Sequence, residues 1–132
     1  MYKKKQSELA VITKAKDLGS YIFIVTEKSP KKYRFTLVSK MQRLALSVIE
    51  NILRANFVYI RDGEDIERME QRKAYQREAY VELKLLGYMA FMAREQLCIL
   101  PKQYQQISIL EAEVNRLLIA WGRSDQNRYK KG

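Results

Sequence analysis

The chain has 132 residues, enough for one continuous core, with 47% apolar and 30% charged residues and a formal net charge of +10. Five glycines and two prolines punctuate it, too few for the many turns of a strand-rich domain, so composition favours long helices. No histidine is present, which excludes Ser-His-Asp and Cys-His catalysis, His-ligated zinc and the Glu-x-x-His di-iron sites of some helical bundles.

In chain order, the first helix is expected from about Ser7 to Lys28. Val11, Ala15, Leu18, Ile22 and Val25 recur at spacings of four and three, the seam of a bundle helix. Leu9, Ile12, Phe23 and Ile24 widen that stripe, so this helix should touch more than one neighbour. Gly19 in its middle costs roughly 1 kcal/mol relative to Ala, and close approach of another helix is one way to explain it. Ser29-Pro30 reads as a break and restart, with Ser29 as N-cap and Pro30 at the first helical position.

A second helix is expected from Pro30 to about Tyr59, with Leu37, Met41, Leu44, Val48, Ile52 and Ala55 along one side. Val38, Ala45, Ile49 and Leu53 lie beside them. Arg61-Asp62-Gly63-Glu64-Asp65 reads as a loop. The third helix should run from about Asp65 to Ile99. Its first half is charged, and its second half carries the heptad Ala79, Leu83, Leu86, Ala90, Ala93, Leu97. Leu100-Pro101 closes it. The fourth helix is expected from Gln103 to Trp121, along Ile107, Leu110, Val114, Leu117 and Trp121. Gly122 stands where a C-terminal cap belongs, and Arg123 to Gly132 read as a frayed tail.

These elements predict an all-α, up-down-up-down four-helix bundle forming a single domain over residues 1–132. The apolar stripes of the first two helices are wider than one bundle core needs, which suggests burial of a second face in an oligomer. The single cysteine, Cys98, sits in an apolar context and cannot form an internal disulfide. No secretory leader is read at the start, and the longest apolar run is too short for a membrane span. The expectation is a cytoplasmic protein with no membrane association, metal or cofactor.

Charge divides unevenly. Residues 29–60 carry Lys31, Lys32, Arg34, Lys40, Arg43 and Arg54 against Glu50 alone, whereas residues 61–100 hold seven basic and eight acidic residues. A positive field of this kind attracts polyanions, nucleic acid first among them. Lys31, Lys32 and Arg34 form the densest cluster, at a helix start that itself favours anions. Together with Lys40, Arg43 and Arg54 they are the candidate nucleic-acid contacts. In the third helix Glu67, Glu70, Glu78 and Glu82 alternate with Arg68, Arg72, Lys73 and Arg77. That mixture reads as a solvated face with intrahelical pairs, and Arg72, Lys73 and Arg77 are secondary candidates for partner contact. Tyr2, Tyr33, Tyr75 and Tyr129 lie beside basic residues. Packing at helix ends is favoured for them over stacking against bases.

Lys16-Asp17-Leu18 and then Lys28-Ser-Pro-Lys-Lys-Tyr-Arg-Phe-Thr-Leu-Val-Ser-Lys-Met-Gln resemble a known family. It is that of the accessory variability determinant proteins of diversity-generating retroelements. The chain is also similar to their relatives, the four-helix-bundle proteins encoded in intervening sequences of bacterial 23S ribosomal RNA genes. The specific part is the Pro-x-x-x-Arg-Phe-x-Leu segment from Pro30 to Leu37, and Cys98-Ile-Leu-Pro-Lys-Gln-Tyr adds to it. Ser29 stands where family members often carry an apolar residue. The resemblance implies a basic homopentameric barrel that binds the element's reverse transcriptase and template RNA in mutagenic retrohoming and does no chemistry itself. The alternative is a ribosomal-RNA-associated or structural bundle with no polymerase partner.

Overall fold

The computed structural model describes residues 2–62 and 64–129, with side chains from Ala10 onward. Its long helices are α1 (Tyr2–Thr26), α2 (Ser39–Phe57), α3 (Ile66–Glu95) and α4 (Pro101–Arg128), and no strand occurs among the described residues. Each helix packs against its neighbours in the chain, and α4 closes back on α1. This is the four-helix arrangement that short connections impose.

The seams fill the core. Val11, Ala15, Leu18, Ile22 and Val25 of α1 are buried against Met41, Leu44, Val48, Ile52 and Ala55 of α2. Ala79, Leu83, Leu86, Ala90 and Ala93 of α3 meet Ile107, Val114, Leu118 and Trp121 of α4. Gly19 sits at a close approach of α2: an added Cβ would lie 3.1 Å from Cδ1 of Ile49, so a side chain at this position would press on the end of the Ile49 side chain.

Helical structure between Lys31 and Phe57 is continuous but not uniform. A 3₁₀ turn (Lys31–Tyr33) passes into a π turn (Arg34–Val38) and then into α2. The wider π turn carries the chain through fewer degrees per residue, so residues upstream of Ser39 rotate relative to the α2 seam. Leu37, expected in the seam, is accordingly only half-buried, while Val38 is buried. The N-cap is Pro30, not Ser29. The Ser29 hydroxyl instead donates to the carbonyl of Cys98 at 2.7 Å, tying the α1–α2 turn to the α3–α4 turn.

Two other helix ends depart from expectation. The α3 heptad stops at Ala93, because the helix ends at Glu95 and Leu97 turns into the left-handed region with φ of 62°. The Cys98 N–H donates to the Ala93 carbonyl and the Leu97 N–H to the Arg94 carbonyl, a Schellman-type close. Leu97 therefore points outward and is 82% exposed. Pro101, expected to close α3, opens α4, and the Leu100 N–H donates to Oε1 of Gln103. At the far end, the tail expected to fray from Arg123 is helical through Arg128, and Gly122 lies inside the helix rather than capping it. Residues 130–132 lie outside the described residues.

The physical reason for the longer α4 is a buried polar cluster. Nε and Nη2 of Arg72 donate to Asp125 at 2.7 and 3.0 Å. Gln76 donates to the same carboxylate at 2.8 Å and Arg128 at 2.9 Å. The Arg72 guanidinium lies over the Trp121 ring. A carboxylate gathering this many donors holds the last turns of α4 in place.

Candidate nucleic-acid interface

The bonds at the α1–α2 and α3–α4 turns bring two distant stretches of chain to one end of the bundle. Besides the Ser29–Cys98 bond, the Tyr33 hydroxyl meets Oε1 of Gln96 at 3.2 Å. On α2, Gln42 donates to the Thr26 hydroxyl at 3.1 Å. Lys28, Lys31, Lys32, Arg34, Lys40 and Arg43 are all exposed around this assembly, and Lys102 projects from the first turn of α4. None of these seven cations forms an ion pair among the described residues. Between Glu27 and Arg43 the chain carries one acid, Glu27 itself. The local field is therefore strongly positive and uncompensated, the condition for drawing in phosphates.

Burial pushes the Cys98 thiol up from its ordinary value, while nearby Lys32 pulls it the other way.

Of the other expected contacts, Arg54 does not join this surface. It lies 20 residues along the chain from Arg34, about 30 Å of helix at 1.5 Å per residue, and it pairs with Glu50 at 3.5 Å. Arg72 is corrected outright. At 5% exposure, on Asp125 and beneath Trp121, it cannot meet a partner at the surface. Lys73 and Arg77 are exposed on α3. They flank shallow clefts between α3 and α4, remote from the basic end. The expected intrahelical pairing on α3 gives way to contacts between helices: Glu82 accepts from Ser47 and Asn51 of α2, and Lys84 reaches Glu111 of α4 at 3.7 Å.

Tyr33 and Tyr129 lie at helix ends, whereas Tyr75 sits within α3. Tyr33 and Tyr75 lie half-buried against the core, with Lys32 over the Tyr33 ring, and Arg128 lies over Tyr129. Tyr2's side chain is outside the described residues. Sequence reasoning counted tyrosines and so passed over Phe35, which is 86% exposed beside Arg34. An aromatic residue directly after a cation in the π turn was the available signal.

Exposed apolar surface lies on the first two helices, as expected, at Phe23 and Ile24 of α1 and Leu46 and Phe57 of α2, but among the described residues a longer continuous row lies on α3. There Val81, Leu85, Tyr88 and Met92 recur at four, three and four residues, a second seam facing away from the core.

A family model described as bAvd-like matches residues 9–124, from α1 into the last turns of α4. No curated protein matches the chain. No helix among the described residues is long and apolar enough to cross a membrane.

Proposed function

The chain belongs to the bAvd-like family, bacterial accessory variability determinants, and from that membership we propose that it is the nucleic-acid-binding accessory subunit of a diversity-generating retroelement. In this reading it works in the cytoplasm, joins the element's reverse transcriptase to template RNA during mutagenic copying and does no chemistry itself. The observation that carries the proposal is the basic end: seven exposed cations unpaired among the described residues, gathered from the α1–α2 turn, the start of α2 and the start of α4. The only acid in the chain between Glu27 and Arg43 is Glu27 itself, so the charge of this segment is not offset by its neighbours.

Self-association into a homopentamer belongs to the same proposal. The support is the outward row Val81, Leu85, Tyr88 and Met92, since contiguous exposed apolar surface of this kind marks an interaction site. A ring of protomers would repeat the basic end around an axis and multiply weak phosphate contacts into avidity.

The test is a salt titration of RNA binding, with mass by light scattering on the same preparation. Each neutralised phosphate releases a counterion, so log affinity falls against log salt with a slope of roughly −0.7 to −0.9 per contact. The expected result is a steep slope and an oligomeric mass. A flat titration removes the nucleic-acid reading, and a monomer across micromolar concentrations removes the ring.

A further inference from the structure

The geometry points to Phe35 as a stacking platform for unpaired nucleic-acid bases. This rests on the reading of the basic end as a nucleic-acid surface and goes further by naming the form of nucleic acid it takes. Phe35 is 86% exposed, although an aromatic side chain stabilises a fold chiefly through the area it removes from water. The π turn at Arg34–Val38 rotates it away from the α2 seam, and such turns recur at functional sites. Its ring therefore has no part in the core.

The setting is cationic. Arg34 precedes Phe35, Lys31 and Lys32 stand in the 3₁₀ turn before it, and Lys40 and Arg43 follow in the first turns of α2, all exposed and without an ion pair among the described residues. The neighbouring turn holds out two more apolar groups, Leu97 and Leu100. It is bonded to this segment through Ser29–Cys98 and Tyr33–Gln96. Leu97 occupies a left-handed position that glycine would fill with less strain. A leucine that is both strained and solvent-exposed gains nothing within the protomer.

An exposed aromatic ring among unpaired cations, with exposed leucines on the adjoining turn, fits one ligand chemistry well: a polyanion whose own apolar faces are accessible. In a duplex the base faces are stacked on one another, so phosphates, sugars and base edges reach the surface but the faces along its length do not. In a single strand each base offers a π face to the ring while its phosphates meet Lys31, Lys32 and Arg34. The basic end should therefore hold unpaired strands more tightly than duplex.

The experiment compares an unstructured oligouridine with a blunt RNA duplex of equal length, at one salt concentration, on unmodified protein and on Phe35→Ala, with mass and helicity measured alongside. Phe35→Ala should weaken single-strand binding about ten-fold and leave duplex affinity and the salt slope unchanged. Phe35→Trp should retain the preference. Equal loss on both probes, or no loss on the single strand, overturns the proposal. So does a fall in mass, which would mean that the ring is covered by a second copy. Binding of neither probe by the unmodified protein would defeat the nucleic-acid reading itself, a different failure from loss of the preference alone.

Discussion

At one end of the bundle Lys31, Lys32, Arg34, Lys40 and Arg43 stand in water without an ion pair among the described residues, whereas at the other four arginines meet acids. Arg61 and Arg68 both face Asp65, and Arg72 and Arg128 converge on Asp125. Both ends are rich in cations. The difference teaches that charge density along the chain is a weaker sign of function than the absence of compensation. A buried, hydrogen-bonded arginine has its charge neutralised by the fold, while an unpaired surface lysine keeps its field for a partner. Removing the first should cost folding, and removing the second should cost binding.

The sharpest break of this comparison is charge reversal at the basic end. The triple variant Lys31→Glu, Lys32→Glu, Arg34→Glu should lower nucleic-acid affinity by more than about 100-fold, because lost contacts and new repulsion repeat in every subunit. Helicity and mass should not change, since all three residues are exposed and lie outside the core. The same reversal at Arg54, which pairs with Glu50 on another part of α2, should change affinity by no more than about two-fold, as expected for an exposed pair. Fluorescence anisotropy and circular dichroism on both variants decide it. Equal loss from Arg54→Glu would erase the distinction between the regions.

The complementary break is at the paired end. Asp125→Ala leaves Arg72 buried without its carboxylate, a defect that costs roughly 3–5 kcal/mol, read as a lowered denaturation midpoint. RNA affinity of the folded protein should be retained. Replacing the pair together, Arg72→Met with Asp125→Leu, should recover part of that loss, because well-packed apolar groups often substitute for a buried ion pair, while Gln76 and Arg128 still lose their shared acceptor. A stable Asp125→Ala variant would show that the cluster is not what holds the end of α4.

A smaller effect sharpens the reading of the exposed patch. Leu97→Gly should raise stability by roughly 1 kcal/mol, since glycine suits the left-handed position and little packing is lost at 82% exposure. The check is the chemical denaturation midpoint of the variant against the parent. A destabilised variant would mean that Leu97 makes contacts in the assembled protein.

Much of the fold was legible because helix seams report themselves. The rows Val11 to Val25 and Ala79 to Ala93 are spaced for burial by local geometry alone, and they are buried. The basic cluster from Lys31 to Arg34 was equally plain. Less legible were features that depend on residues far apart in the chain. Arg72 looked like its exposed neighbours because its partner Asp125 lies 53 residues away. Gly122 looked like a cap because nothing nearby in sequence announces that Arg72 and Gln76 continue the helix past it. Phe35 looked like a motif residue because a π turn leaves no clear periodic trace.

The sequence by itself therefore determined the helical class, the core-facing seams, the strong positive charge and its concentration before and within α2, since each follows from spacing or counting. Only the tertiary structure decided which cations are neutralised and which remain available, where the outward apolar row lies, and that Phe35 and Leu97 stand on the same end of the molecule. The reason is physical: periodicity is set by the rise and turn of one helix, whereas pairing and exposure depend on what the other three helices bring alongside it.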